Sequence, residues 1–81
     1  MADFPPVASL RSFEAVARLG SVTQAAHEMS VTHSAVSQHI KQLEDKLGFI
    51  LFHRVGRGLA LTAQGQRLAL VANEIHERVV D

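Results

Sequence analysis

Apolar residues recur at helical spacing near the start of the chain, at Leu10, Phe13 and Val16. A repeat of three or four residues places such side chains on one side of a helix, which then packs on a core. Gly20 suits the left-handed conformation that ends many helices. The pattern therefore predicts a first helix over about residues 8–19.

Two further helices follow, separated by a short turn. Ser21 and Gln24 have the spacing of a capping box, so they predict the start of a short second helix. Thr32 is a good N-cap for a third helix, which Gly48 ends. The third helix carries one apolar stripe, made of Val36, Ile40, Leu43 and Leu47.

The hydrophobic period changes after the third helix. Residues 49–55 are rich in β-branched and aromatic side chains, and Gly56-Arg57-Gly58 predicts a turn before a second apolar run. We therefore expect a two-stranded hairpin at about residues 52–61. Thr62 then caps a fourth helix, predicted over about residues 63–80.

The second and third helices have the composition of a helix-turn-helix. Ala25 and Ala26 are small enough to let the two helices cross closely, and the turn between the helices is about three residues long. Ser30 stands where such turns usually have glycine. Two helices of an unrelated bundle are the alternative.

The outward face of the third helix carries no acidic side chain. Its exposed positions are predicted to be Thr32, His33, Ser34, Ser37, Gln38, Lys41 and Gln42. Hydroxyl, amide, imidazole and ammonium groups suit phosphate oxygens and base edges, whereas an ordinary solvated face would include Glu and Asp. The helix N-terminus adds free N–H groups that favour anions. A merely soluble polar face is the alternative.

The hairpin adds two cationic side chains to this region. Arg54 precedes the turn and Arg57 lies within it, where an arginine can reach a phosphate or a narrow minor groove. Arg-Gly turns are common on plain surfaces, so this signal is weak alone. After a helix-turn-helix it predicts the wing of a winged helix.

Composition limits the class of protein. The chain has 81 residues, no cysteine and a formal net charge of zero, which indicates one small domain without disulfides. Acids gather near the two ends, and only Glu44 and Asp45 interrupt a basic middle, so a neutral chain can carry one positive face. No apolar run reaches the length of a membrane span and no secretion signal is recognisable, so we expect a cytoplasmic protein.

Neither catalysis nor metal binding finds support in the sequence. His33 and His39 are six residues apart on different sides of one helix, and the other histidines belong to other elements. Ser34 and Ser37 lack the glycine-flanked turn that exposes a nucleophile. We therefore predict no catalytic residue, no metal site, no cofactor and no enzymatic activity.

The fourth helix carries an apolar stripe of its own. Its members are Leu68, Val71, Ala72, Ile75 and Val79. A helix appended to a compact winged domain has little of that domain left to pack on, so the stripe predicts the interface of a homodimer. Folding of the stripe onto the first helix is the alternative.

Taken together, these segments resemble the N-terminal DNA-binding domain of the LysR-type transcriptional regulators. The resemblance rests on LRSF, GSVTQAA, VTHSAVSQHIKQLEDKLG and LFHRVGRGLALTAQG, and it covers nearly the whole chain. It is greatest to the subgroup of the glycine-cleavage activator and the β-lactamase-gene regulator. It implies a mainly α fold, with a winged helix-turn-helix and two-stranded β wing in residues 1–62. A long linker helix in residues 63–81, part of the same module, would pair antiparallel with a second copy.

The resemblance also implies contacts with double-stranded DNA. The recognition helix is expected at about residues 32–47, and its matching positions are Thr32, His33, Ser34, Ser37 and Gln38. Lys41, also exposed on this helix, is added to this set. The matching positions on the wing are Arg54 and Arg57. Family members usually have Gln at the position of His33, and often Pro at Ser34 and Arg at Gln38. Whole members continue into a domain that senses a small-molecule effector, and the resemblance predicts that this chain is a fragment without it.

We therefore expect sequence-specific DNA binding for transcriptional regulation, on an interrupted inverted repeat at operator sites of the bacterial nucleoid. Ser37 and His33 are expected to approach base edges, with Gln38 as the substitute for His33, and Arg57 to hold the backbone or minor groove. The alternative function is a winged-helix module for protein assembly without DNA reading. An apolar patch on the third helix would be more typical of that role.

Overall fold

The computed structural model describes residues 7–80, and it describes side chains for residues 7–72. The elements are, in chain order, α1 (Val7–Leu19), α2 (Val22–Met29), α3 (His33–Leu47), β1 (Phe52–Val55), β2 (Gly58–Leu61) and α4 (Ala63–Val80). The predicted mainly helical, winged helix-turn-helix architecture is confirmed. Within the described range, every helix is too short or too polar to cross a membrane.

α1 lies at the centre of the molecule and packs against α2, α3 and α4. Phe13 and Val16 of α1 are fully buried, as are Val36 and Leu43 of α3. The ring of Phe13 lies 5.4 Å from the ring of Phe52, centroid to centroid, with the planes tilted by 47°. Burial of each large apolar side chain contributes about 1.5–3 kcal/mol. One apolar core therefore holds α3 and the start of the hairpin on α1.

Side-chain caps set the ends of the short helices. The Ser21 hydroxyl accepts from the Gln24 N–H at 3.1 Å, and the Thr32 hydroxyl accepts from the Ala35 N–H at 3.0 Å. Each bond satisfies an N–H group that the helix itself leaves unpaired. Ser30 ends α2 in the left-handed region, at φ 58° and ψ 41°. Ser30 stands at the turn position where glycine is usual, and its backbone has the conformation that favours glycine.

β1 and β2 form a single antiparallel hairpin, in which Phe52 pairs with Leu61. Gly56 lies in the connecting turn at φ 60°, a conformation that residues with a Cβ rarely adopt. The Leu59 N–H donates to the carbonyl of Gly20 at 3.3 Å. This bond ties the second strand to the loop between α1 and α2, so the hairpin is anchored to the helical core.

Two groups of hydrogen bonds fix the loop that leads into the hairpin. A carboxylate oxygen of Glu44 accepts from the N–H of Leu51, which is fully buried, at 2.8 Å. The Thr62 hydroxyl donates to the carbonyl of Ile50 at 2.7 Å and accepts from the N–H of Gly65 at 3.0 Å. A Cβ on Gly65 would overlap the carbonyl oxygen of Leu51. The first turn of α4 therefore lies directly on this loop.

The described part of α4 shares the core of the winged region. Ala72 is buried, and Leu68 and Ala69 pack against the buried cluster. α4 contacts both α1 and β2. The boundary between residues 62 and 63 stays a prediction, as does the role of residues 63–81 as a linker.

The left-handed backbone of Ser30 predicts a stabilising substitution. Ser30→Gly removes the clash of a Cβ with the backbone and should raise the free energy of unfolding by about 0.5–1 kcal/mol. Urea unfolding should show a higher midpoint at an unchanged slope. Ser30→Ala keeps the Cβ and is the control, for which no gain is expected. Equal stability of the two variants would show that backbone strain is not what Ser30 contributes.

The bond between Glu44 and Leu51 predicts a second, destabilising change. Glu44→Ala leaves the buried N–H of Leu51 without an acceptor, which costs about 1–3 kcal/mol. Glu44→Gln retains an acceptor oxygen and should cost less. Asp45→Ala is the control, because this neighbouring carboxylate is exposed. Thermal unfolding of the three variants tests the order, and an equal loss for Glu44→Ala and Asp45→Ala would contradict it.

Candidate functional site

The exposed face of α3 is the first part of the candidate site. Val36 and Leu43, both fully buried, determine which side of the helix faces the core. The predicted contact positions on this helix and its N-cap are all exposed, namely Thr32, His33, Ser34, Ser37, Gln38 and Lys41. The structure therefore brings these six side chains together on one surface, and no acidic side chain lies among them.

The N-terminal end of α3 presents donors. The Thr32 hydroxyl oxygen accepts from the Ala35 N–H at 3.0 Å, and its proton remains able to donate to an anion. The first turn of α3 contains no acidic residue, so the positive end of the helix dipole is not neutralised there. This end of the helix is suited to a phosphate oxygen.

The polar side chains of α3 divide into an outer row and a row on the side of the hairpin. At about 100° per residue, Ser34 and Gln38 project directly away from the buried side chains of Val36 and Leu43. Ser37 instead borders a shallow groove between α3 and the hairpin, as Lys41, Phe52 and Leu59 do. Ser34 and Gln38 therefore point away from the core, Ser37 lies on the flank, and Lys41 projects outward as well as bordering the groove.

The hairpin is the second part of the site. Phe52 is the buried residue of β1, and the following residues, His53, Arg54 and Val55, are exposed. Arg57 is exposed in the turn. The strand thus leaves the core after Phe52, and both predicted arginines, Arg54 on the strand and Arg57 in the turn, are exposed to solvent. His53 and Val55 were not among the predicted site residues, because exposure beyond Phe52 is set by tertiary packing.

Electrostatics explain how a neutral chain can present a positive face. Arg18 pairs with Glu14 within α1, at 2.9 Å, and joins α1 to α2 through Glu28, at 3.0 Å. The hydrogen bonds that Arg18 donates, first to Glu28 and then to Glu14, raise the pKa of its guanidinium above the ordinary value. By contrast, no salt bridge within the described part of the chain involves Arg54 or Arg57.

A third acidic side chain, Glu44, lies next to the site on the hairpin flank of α3. It accepts from the buried N–H of Leu51 and borders the same groove as Lys41. The carboxylate is thus engaged with the backbone at the base of the hairpin, on the flank away from Ser34 and Gln38. The outer face of α3 stays free of acidic groups as far as Asp45.

His33 and His39 lie on different sides of α3, as the sequence predicts. His33 is exposed at the N-terminal end, whereas the Nδ1 atom of His39 lies 2.6 Å from the Oγ atom of the buried Ser12 in α1. In the part of the chain with described side chains, no three His, Cys, Asp or Glu residues lie close enough to hold a metal ion. The contact of His39 with α1 has no signature in the sequence.

The predicted dimer stripe on α4 does not lie on one exposed face. Ala72 is 3% exposed and Leu68 packs against the core, so these two positions follow the alternative in which the stripe folds onto α1. Val71 is 52% exposed. Leu70, which was not among the predicted stripe residues, is 73% exposed. The side chains of Ile75 and Val79 lie outside the described residues. The dimer interface itself stays a prediction.

Comparison with protein families relates the site to known regulators. The model of the bacterial regulatory helix-turn-helix proteins of the lysR family matches residues 7–66. The transcriptional activator AmpR of Yersinia enterocolitica is 49% identical over 79 residues, which are 98% of this chain and 27% of AmpR. The glycine cleavage system transcriptional activator of Escherichia coli K12 is 48% identical over 77 residues, 95% of this chain and 25% of the activator. The chain thus spans about a quarter of the length of these relatives.

Solved structures show the same fold. The DNA-binding domain of BenM in complex with catB site 1 DNA superposes with a TM-score of 0.85 at 30% identity, covering 91% of this chain and 82% of that one. The CbnR DNA-binding domain in complex with DNA gives a TM-score of 0.83 at 32% identity, covering 91% and 85%. Both similar structures hold DNA.

Proposed function

The chain belongs to the LysR family of bacterial regulatory helix-turn-helix proteins, and we propose that it is the sequence-specific DNA-binding module of a transcriptional regulator. In this proposal α3 lies in the major groove, and the β1–β2 hairpin is the wing on the backbone or in the minor groove. The observation that carries it is the hydrogen-bonding face of α3, free of acidic side chains as far as Asp45, together with the exposed Arg54 and Arg57 of the hairpin, whose base shares a groove with α3. Support comes also from the similar DNA-bound domains of BenM and CbnR.

The dimensions of the site suit this role. The major groove admits an α-helix, and residues near the N-terminal end of a recognition helix contact base edges. The wing projects beside α3 and is held there through Gly20 and Glu44. Binding of α3 would therefore bring the wing arginines to the same stretch of duplex.

We assign base reading to the outer row of α3 and backbone contact to its hairpin flank. The Gln38 amide can pair with the N6 and N7 atoms of an adenine, and Ser34 lies one turn before it. Ser37 and Lys41 border the groove towards the wing, where a phosphate backbone would pass. The sequence suggested base reading by Ser37 and His33, with Gln38 as the substitute for His33, so this assignment keeps only Gln38 among those three as a base reader. His33, at the helix N-terminus, and Thr32 are assigned to a phosphate.

We further propose that two copies bind an interrupted inverted repeat, with their α3 helices about one helical turn of DNA apart, roughly 34 Å. Leu70 and Val71 are the exposed apolar side chains that favour an antiparallel pairing through α4. Because the chain spans about a quarter of its relatives, any small-molecule effector would act through a domain outside this sequence. We place the protein in the bacterial cytoplasm, at operator sites on the nucleoid.

The alternative role, protein assembly without DNA reading, is not favoured. Its partner surface would be the exposed face of α3, which is polar rather than apolar. Selection of duplexes from a random-sequence pool by the 81-residue protein tests the choice. DNA reading predicts enrichment of a defined inverted repeat and binding that weakens steeply with salt. Absence of any enriched sequence would overturn the proposal.

The division of roles on α3 predicts different effects of single substitutions. Gln38→Ala should relax the base preference at one position of each half-site by about 1–3 kcal/mol. Ser37→Ala should weaken binding to all sequences alike. The assay is titration of duplexes that vary at single positions of the selected site. Gln42→Ala is the control, since it removes the same amide one turn further from the helix N-terminus. A changed preference in Ser37→Ala with none in Gln38→Ala would reverse the assignment.

The wing makes a separate prediction that depends on salt. Arg57→Ala should lower affinity for every sequence and reduce the slope of log affinity against log salt by about one unit per protomer. The comparison uses the selected duplex and a scrambled duplex over a series of salt concentrations. An altered base preference at an unchanged slope would show that Arg57 reads sequence rather than holding the backbone.

The dimer proposal predicts that a charge on α4 separates the protomers. Val71→Asp places a carboxylate at the proposed interface, where it would be partly desolvated and unpaired, while the core of the winged region is untouched. Sedimentation should show a monomer, with lower affinity for the inverted repeat. Gln66→Asp adds the same charge at an exposed position of α4 and is the control. A dimer that persists in Val71→Asp would contradict this interface.

A further inference from the structure

One buried hydroxyl group of α1 contacts both helices of the helix-turn-helix, α2 and α3. Ser12 of α1 is fully buried. Its Oγ atom lies 2.6 Å from Nδ1 of His39 in α3 and 3.7 Å from Sδ of Met29 in α2.

The protons available at this contact favour one arrangement. A serine hydroxyl has one proton to donate and can accept a hydrogen bond at the same time. If Nδ1 of His39 carries a proton, it donates to Ser12, and the Ser12 proton is directed to the sulfur of Met29. If Nδ1 is bare, Ser12 must donate to it, and the sulfur receives nothing. The first arrangement uses both contacts, so it is the better satisfied of the two.

We propose that Ser12 is a positioning residue for DNA reading: it holds His39 in the Nδ1–H form and thereby sets the rotation of α3 about its own axis. The inference rests on the proposed function. His39 directly follows Gln38, and a hydrogen bond is directional, unlike the contacts of Val36 and Leu43. Without the hydroxyl, α3 would keep its burial but lose the contact that aims its outer row of side chains.

Ser9 provides a matched control one turn earlier on the same helix. It is also buried, at 1% exposure, but its Oγ atom has no hydrogen-bond partner among the described residues. Ser9→Ala therefore removes an unsatisfied hydroxyl and should raise Tm by a few degrees. Ser12→Ala removes the same atom from the same helix, together with the bridge to α2 and α3.

The test compares binding selectivity in the two variants. The probes are the duplex that the parent 81-residue protein selects from a random-sequence pool and a scrambled duplex of equal composition. Ser12→Ala should reduce the preference for the selected duplex by about three- to tenfold, the equivalent of one net hydrogen bond. Affinity for the scrambled duplex should not change. Ser9→Ala should keep the parental preference. An equal preference in both variants would overturn the proposal.

Substitution of His39 separates the bridge from general packing. Asparagine places an N–H donor near the position of Nδ1, whereas glutamine carries its amide one carbon further from the backbone. His39→Asn should therefore retain more of the preference for the selected duplex than His39→Gln. The reverse order, or equal loss, would contradict the assignment of the Nδ1 proton.

A spectrum of the parent protein tests the contact without any substitution. Long-range ¹⁵N–¹H correlation of the histidine rings should show the proton of neutral His39 on Nδ1, and Ser12→Ala should remove that preference. A proton on Nε2 in the parent would overturn the proposed arrangement. If the parent selects no duplex at all, the proposed function fails, whereas the spectrum still decides whether Ser12 holds His39 as described.

Discussion

The burial of one side of α3 against α1 is the interaction on which the rest of the structure depends. Phe13 and Val16 of α1 belong to the same buried cluster as Val36 and Leu43 of α3, and all four are fully buried. This packing decides which side chains of α3 face outward. Because Phe13 also contacts the ring of Phe52, the same core determines where the hairpin begins. The position of the recognition surface and that of the wing are thus consequences of one apolar contact region.

Polar contacts then add direction to this apolar packing. Burial alone tolerates small rotations, since the hydrophobic effect follows area and not angle. The bond from Leu51 to Glu44 and the bond from Leu59 to Gly20 hold the two strands at defined places. The close contact of Ser12 with His39 is the polar contact that α3 makes with α1. The Leu59–Gly20 and Ser12–His39 contacts connect elements that are distant in sequence, whereas the Leu51–Glu44 bond connects neighbouring ones.

The positions of the acidic side chains resolve the apparent conflict between a net charge of zero and a DNA-binding role. Glu14 and Glu28 pair with Arg18 on α1 and α2, and Glu44 accepts from a buried N–H. These acidic groups contribute to the fold without entering the outer face of α3. What a phosphate backbone would meet is decided by the placement of charge and not by its sum.

The sequence by itself determined the elements and the composition of the site. Helical spacing, the caps Ser21, Thr32 and Thr62, and the period change before the hairpin depend on neighbours within a few residues, so they are readable along the chain. The acid-free face of α3 is equally local, because the stripe of Val36 and Leu43 leaves only one side exposed.

Only the tertiary structure decided which side chains meet across elements. Ser37 lies towards the wing, Leu68 and Ala72 pack within the chain, and His39 turns to α1. An apolar residue at helical spacing looks the same whether it faces α1 or a second copy. The distinction depends on the crossing of whole helices, which arises from packing between residues far apart in the chain, and no short-range pattern records it.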